Sequence, residues 1–447
     1  MKQHKKAAGA FLQNASYAAW HDDTFWSVRG KRDIMAHGLP EWEALREKAS
    51  LIKRHTVSHL DEYLEQFSAN AEKNGAIVHW AADAAEFNSI VLGILQEHNV
   101  RKMVKSKSML TEECGMNPYL EAHGIEVVET DLGERIIQLK GQAPSHIVMP
   151  AIHLNHDDVG ELFEEKGISK EKGNHDPTYL TYQARLSLRG EFLSAQAGMT
   201  GANFGVASTG DIVVCTNEGN ADMATSCPGL HIVAIGLEKI IPDYDSLAVF
   251  QRLLARSGTG QPSTTYTSHF RKARPGAAPM HIVLVDNGRS EWIGNPDHWE
   301  TLKCIRCGAC MNTCPVYRRS GGYSYSYFIP GPVGINLGML RSPREHSGNV
   351  SACTLCNSCQ CVCPVKVDLG DQIYKWRQEL PALGTESKGK KLLSGGMELV
   401  FKHPLLYKAA TGLSPACNIL PKLPLNIRFP RKPFHSVFKD IDDDKKG

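Results

Sequence analysis

CIRCGACMNTCP, residues 304–315, holds four cysteines, and CTLCNSCQCVCP repeats their spacing at 353–364. Cys304, Cys307, Cys310 and Cys314 follow C-x2-C-x2-C-x3-C-P to Pro315; Cys353, Cys356, Cys359 and Cys363 follow it again to Pro364. Three cysteines two residues apart wrap a tight loop around one iron–sulfur cube, with backbone N–H groups turned to the sulfurs. The fourth, directed away by its proline, ligates the neighbouring cube. The pattern predicts two [4Fe–4S] clusters of the bacterial ferredoxin type. Cys304, Cys307, Cys310 and Cys363 are assigned to one, and Cys314, Cys353, Cys356 and Cys359 to the other. A four-cysteine zinc site instead shows two C-x2-C pairs and a longer spacer, and needs neither the third cysteine nor the Cys-Pro ending. Cys361 is left over and reads as a packed thiol beside the cluster. Clusters of this kind move single electrons, so the segment is expected to be a relay.

The totals narrow what the relay belongs to. The chain has 447 residues, room for two or three domains, and its 13 cysteines are unevenly spread: all but Cys114, Cys215 and Cys227 lie between 304 and 417. A disulfide scaffold would be small and exported, whereas short-spaced cysteines in a reducing compartment are metal ligands. With 50 basic and 48 acidic residues the net charge is +2, which gives no electrostatic case for nucleic acid or a membrane surface. No apolar run approaches the roughly 20 residues that span a bilayer. Gln13, Asn14 and Ser16 interrupt the start before an export core forms, so a cytoplasmic location is expected.

The elements that must position this chemistry show in the periodicity. Residues 1–70 read as amphipathic helices, with Trp42, Leu45, Leu60, Leu64 and Phe67 at helical intervals. Over 71–300, GAIVHWA, RKMVKS, IEVVET, SHIVMPA, GDIVVCT, HIVAIG and MHIVLVD have the length and β-branched content of buried strands. Helical stretches such as DAAEFNSIVLGILQEHN and NPYLEAHG alternate with them, which argues for an α/β domain with a largely parallel sheet. Glycine-rich GMTGANFGVASTG reads as a joint between elements. Residues 301–380 form the two-cluster domain, and 381–447, with its prolines (LSPACNILPKLPLNIRFPRKPF), reads as an extended arm. The α/β domain has no P-loop and no G-x-G-x-x-G, but polar groups follow its strands: Lys105, Lys107 and Glu113 in KSKSMLTEE, His146 and His153 in PSHIVMPAIH, and Asn217, Glu218 and Asn220 in CTNEGNADM. Open α/β sheets bind ligands at such strand ends.

KSKSMLTEECG, ETDLGERIIQL, PSHIVMPAIH, TGANFGVASTGDIVVCTNEGNAD and HIVAIGLEKIIP, followed by the two cysteine motifs, resemble the lactate utilization protein B family over nearly the whole chain. The resemblance implies a domain of the ribose-phosphate-isomerase and CoA-transferase-like α/β group, fused to a two-cluster ferredoxin domain. It also implies a three-protein complex converting L-lactate to pyruvate. The partners would be a cysteine-rich subunit of the heterodisulfide-reductase type and a smaller protein with the lactate-utilization domain. In such a reaction Lys105 and Lys107 would hold the carboxylate, His153 or Glu113 would take the hydroxyl proton, and Glu218 would join the substrate site. No hydride acceptor is evident in the sequence, so electrons would pass singly through the clusters or begin on a cofactor held by a partner. Iron–sulfur subunits for glycolate or glycerol-3-phosphate share the cysteine motifs but would not be expected to carry KSKSM or TNEGNAD. A cluster-bearing regulator or scaffold would show no turnover.

Overall fold

A computed structural model describes residues 2–384, 388–413 and 438, and the chain divides into two units, Met1–Glu379 and Leu380–Gly447. The strands, in chain order, are β1 (Ile77–Ala81), β2 (Lys102–Lys105), β3 (Glu126–Glu129), β4 (Ala197–Gly201), β5 (Phe204–Val206), β6 (Asp211–Thr216), β7 (Leu230–Gly236), β8 (Ile240–Ile241), β9 (Tyr266–Phe270) and β10 (His281–Val285). Six of them form a parallel sheet ordered β1-β10-β7-β4-β2-β3. Every residue of β7 and β10 is buried, as their unbroken apolar runs require of strands covered on both faces. One face packs Phe87, Val91 and Leu120 against Met103, Val127 and Val283; the other packs Leu64 and Phe67 against Val233 and Leu284.

Two segments differ from their sequence reading. The glycine-rich AGMTG is no joint but β4, buried throughout at the sheet's centre. A Cβ on Gly198 would stand 1.6 Å from the Ala224 carbonyl oxygen, so close packing of the helix Asn220–Ser226 overrides weak strand propensity. Conversely, SHIVMPA is an irregular turn. His146 Nδ1 accepts from the amides of Val148 (3.1 Å) and Met149 (3.0 Å), and the Ser145 amide donates to the Pro150 carbonyl (3.0 Å). A side chain that serves the backbone locally competes with any sheet ladder.

A second sheet, β8-β5-β6-β9, takes up GDIVVCT as β6, antiparallel to β5 and β9. The helices Ala15–His37 and Trp42–Ser58 reach the cysteine region: Arg32 Nη2 donates to Val362 O (3.2 Å), Arg46 Nε to Cys363 O (2.9 Å) and Arg46 Nη2 to Cys361 O (3.0 Å). In the second unit, residues expected to extend as an arm instead form the helices Lys388–Lys402 and Pro404–Leu413. The proline-rich stretch 414–434, with Cys417, lies outside the described residues. Among the described residues no helix is long and apolar enough to cross a membrane.

Candidate functional site

The C-terminal ends of the parallel strands open into a cavity of about 520 Å³. Ser106 and Lys107 follow β2, Asp131 follows β3, Gly201 ends β4, and Gly236 ends β7 with Glu238 beyond it. Asn217, Glu218 and Asn220 enter from the turn after β6, and Arg306 and Cys307 of the first cysteine motif line the wall. Gly258 makes that contact possible: a Cβ there would stand 2.7 Å from the Cys307 carbonyl oxygen.

Of the residues singled out in the sequence, Lys107, Glu113 and Glu218 line this cavity. Lys107 Nζ donates to Val148 O at 2.8 Å. Glu218, at the mouth, accepts from the Leu132 amide (3.2 Å); burial first, and then the Asp131 carboxylate, push its carboxyl up to about 7. Glu113 is not free to act as a base. Its two oxygens accept from Arg289 (3.1 and 2.9 Å) and one also from Asn287 Nδ2 (2.7 Å).

Lys105 and His153 stand elsewhere. Lys105, the last residue of β2, is fully buried, 2.7 Å from Glu129, 3.6 Å from Glu112 and 3.1 Å from Thr111 Oγ1. Burial alone would lower its ammonium, but Glu129, Glu112 and Glu134 together outweigh that and raise it. His153 sits in the 143–153 turn between Ser145 (2.7 Å), Gln142 (3.0 Å) and the Tyr323 hydroxyl (3.2 Å), and burial drives it down to about 4. His146, also buried, meets Asn312 Oδ1 at 3.0 Å and ties that turn to the helix behind Cys307. Burial lowers it to about 3.

Sequence reasoning missed the cations between cavity and cysteines. Arg289, fully buried, bridges Glu113 and Glu238, and Arg306 Nη2 reaches Glu238 at 3.6 Å. Burial would raise the Glu238 carboxyl, yet Arg289, Arg306 and Lys239 hold it down at about 2. Lys239, lining the cavity, makes no hydrogen bond or ion pair among the described residues; burial lowers it to about 8. The signal was available, because Glu238–Lys239 follow β7 as Lys107 follows β2.

The two cysteine loops are built alike. Arg306 (φ 59°) and Leu355 (φ 55°), third in each C-x2-C, hold left-handed backbone, and so do Gly308 (φ 80°) and Asn357 (φ 57°) just after the second cysteine. Non-glycine residues rarely adopt that conformation without a local reason. Here it turns the Arg306 amide to Cys304 Sγ (3.4 Å) and the Leu355 amide to Cys353 Sγ (3.3 Å). Cys304, Cys307, Cys310 and Cys363 line one enclosed space with Ile147, Val333 and Leu369. Burial, then Cys363 and Cys304, raise the Cys307 thiol; burial, then Cys314, Cys353 and Cys356, raise that of Cys359. The Thr313 and Ser358 hydroxyls meet at 2.5 Å between the helices Ala309–Thr313 and Ser358–Val362, so the two groups adjoin. Buried thiols crowded in this way ionise together only around a cationic group. Cys304, Cys307, Cys310 and Cys363 ring a volume, as the spacing of three cysteines two residues apart requires for a cube of iron and sulfide. Cys361, expected to pack beside the cluster, is instead exposed; its amide donates to Asn357 O (3.2 Å) and its carbonyl accepts from Arg46.

Residues 64–285 match the family model described as LUD domain, and residues 300–367 match the 4Fe-4S dicluster domain. Lactate utilization protein B of Shouchella clausii is 42% identical over 385 residues, 84% of this chain and 80% of that protein. The protein of that name from Macrococcus caseolyticus is 41% identical over 387 residues, 85% of this chain and 80% of its own. The uncharacterized electron transport protein YkgF of Escherichia coli is 39% identical over 387 residues, 85% and 81% of the two chains. A solved DUF162 family protein from Deinococcus radiodurans covers 51% of this chain and 98% of its own at 14% identity, with a TM-score of 0.29, too low to bear on the fold. A lactate-utilization domain whose cavity abuts a cysteine loop, with two [4Fe–4S] clusters beyond it, serves electron transfer in lactate utilization, and the chain belongs to the lactate utilization protein B family.

Proposed function

We propose that this chain is the iron–sulfur subunit of a complex that oxidises L-lactate to pyruvate, and that it takes the electrons up at the strand-end cavity. One observation carries the reading: Cys307 and Arg306 of the first cysteine loop are part of the cavity wall. Cys304, Cys307, Cys310 and Cys363 would hold the inner cluster, and Cys314, Cys353, Cys356 and Cys359 the outer one, which fits the grouping of their sulfurs. When bound, the clusters supply single-electron transfer. Lys107 keeps N–H groups beyond its bond to Val148 and is suited to the lactate carboxylate, with Lys239 and Arg306 adding positive charge. Glu218, with its carboxyl near 7, is suited to accept the hydroxyl proton, since a base works best when its pKa lies close to the working pH. Glu113 instead braces Arg289 against Glu238, and Lys105 and His153 hold the scaffold. Cys353 is half-buried and Cys356 exposed, so the outer loop offers an exit to an acceptor on a partner. The partners proposed are the cysteine-rich heterodisulfide-reductase-type subunit and the smaller lactate-utilization protein.

The test is anaerobic reconstitution of the complex with wild-type chain or Cys307→Ser. Lactate should generate reduced-cluster paramagnetic resonance in the first and none in the second. Equal signals in both would overturn the reading.

A further inference from the structure

No residue from 391 to 413 is buried, although the helices Lys388–Lys402 and Pro404–Leu413 are rich in large apolar side chains. Leu392 and Leu405 are each 81% exposed and Phe401 64%, and Leu393, Met397 and Leu413 are exposed as well. Single apolar residues scattered over a surface are ordinary, but these fall in register. Leu393, Met397, Val400 and Phe401, at helical spacing, share one face of the first helix, while Lys391, Glu398 and Lys402 share another. With Tyr407 and Ala410 of the second helix, the apolar face lines a groove of about 890 Å³. The Phe401 and Tyr407 rings stand 6.2 Å apart across the join. Helices of 15 and 10 residues are marginal in water by themselves, and burial of an apolar face is what normally holds them. Some other surface must therefore cover this one.

Charge says which. The near-neutral total of the chain conceals where its charges lie. Between 388 and 439 stand ten Lys and Arg residues and one acid, Glu398, a surplus of nine in a chain whose total is +2. Protein interfaces favour Trp and Arg and are poor in Lys. From 388 to 413 there is neither Trp nor Arg, and five lysines flank the leucines instead. That composition suits a bilayer interface, where apolar side chains sink among acyl chains and lysine heads stay in the headgroup layer. Neither helix approaches the roughly 20 residues that span a bilayer. We infer that the two helices lie along the surface of an anionic lipid membrane and hold the electron relay there. The groove takes acyl chains, and Lys391 and Lys408 meet lipid phosphates. This attachment does not depend on lactate as the substrate.

The test floats the full-length, cluster-loaded chain, without oxygen, on vesicles of phosphatidylcholine alone or with about a quarter phosphatidylglycerol. It should rise with the anionic vesicles and bind at least tenfold more weakly to the neutral ones or at high salt. Each lysine near an anionic surface is worth roughly fivefold in binding, so Lys391→Gln with Lys408→Gln should lose at least tenfold. Leu393→Ala with Phe401→Ala keeps helix propensity and should lose as much. Iron per chain should match the wild type in both pairs, because the cysteine loops belong to the first unit. No flotation on either vesicle overturns the inference, and so does equal flotation on both or undiminished binding by either pair. It is overturned as well if the alanine pair dissociates a dimer, which would give the face to a second copy, or sheds a co-purifying subunit, which would give it to a protein partner.

Discussion

Replacing Lys105 with methionine should cost folding stability and leave lactate affinity alone. Lys105 and Glu129 are register partners on neighbouring strands, 1% and 3% exposed, with Nζ and Oε1 at 2.7 Å. Methionine keeps the length of the side chain and removes the charge. Glu129 then retains only Asn117 Nδ2 (2.7 Å), its second oxygen being unpaired already, and it shares the pocket with Glu112 and Glu134. Stranding one member of a buried pair costs about 3–5 kcal/mol. Since about 1.4 kcal/mol is tenfold, amide exchange in β2 and β3 should speed up by roughly two to four orders of magnitude. Lys105→Met with Glu129→Leu should recover most of the loss. Native-state hydrogen exchange on peptides covering 102–105 and 126–129 reads this directly. Unchanged protection with a raised KM for lactate would refute the reasoning and return Lys105 to the substrate.

Cys307→Ser or Cys356→Ser should each lower iron towards half, while Cys361→Ser, outside both thiol groups, should leave it unchanged; iron analysis per chain decides. Lactate oxidation should rise with pH through about 7, and Glu218→Gln should remove that limb of the rate profile, because the deprotonated carboxylate is the working form. His153 stays neutral in the fold down to about 4, whereas the unfolded chain takes up that proton near 6.5. Its stabilisation is therefore complete above 6.5 and lost as the pH falls towards 4, so His153→Gln should flatten the loss of exchange protection in 143–153 between pH 7 and 5.

The cysteine loops and most sheet strands were legible because their signals are local: a fixed spacing in one case, an unbroken β-branched run in the other. Where a signal depended on a distant partner, it misled. AGMTG reads as a turn until the helix Asn220–Ser226 is laid on it. SHIVMPA misled for a local reason instead: His146 accepts from the amides two and three residues on, which an apolar run does not show. The polar groups after strands were found, but not which way they face. Lys105 and Lys107, two positions apart, would share a face if the strand continued, but β2 ends at Lys105, and the two side chains part into a carboxylate cage and the cavity. Arg289 and Arg306 bind the two ends of the site only through the fold, and nothing in their neighbourhood along the chain announces it.

The outer cysteine loop leaves Cys356 open to water, while Cys307 and Cys310 are buried. What a partner's acceptor can touch, dioxygen and chelators also touch. Handling in air should therefore strip the outer cube first, leaving brown protein that still meets lactate at its inner cube but has nowhere to send the charge. Coverage of that loop by a partner would then serve as a shield as well as a wire.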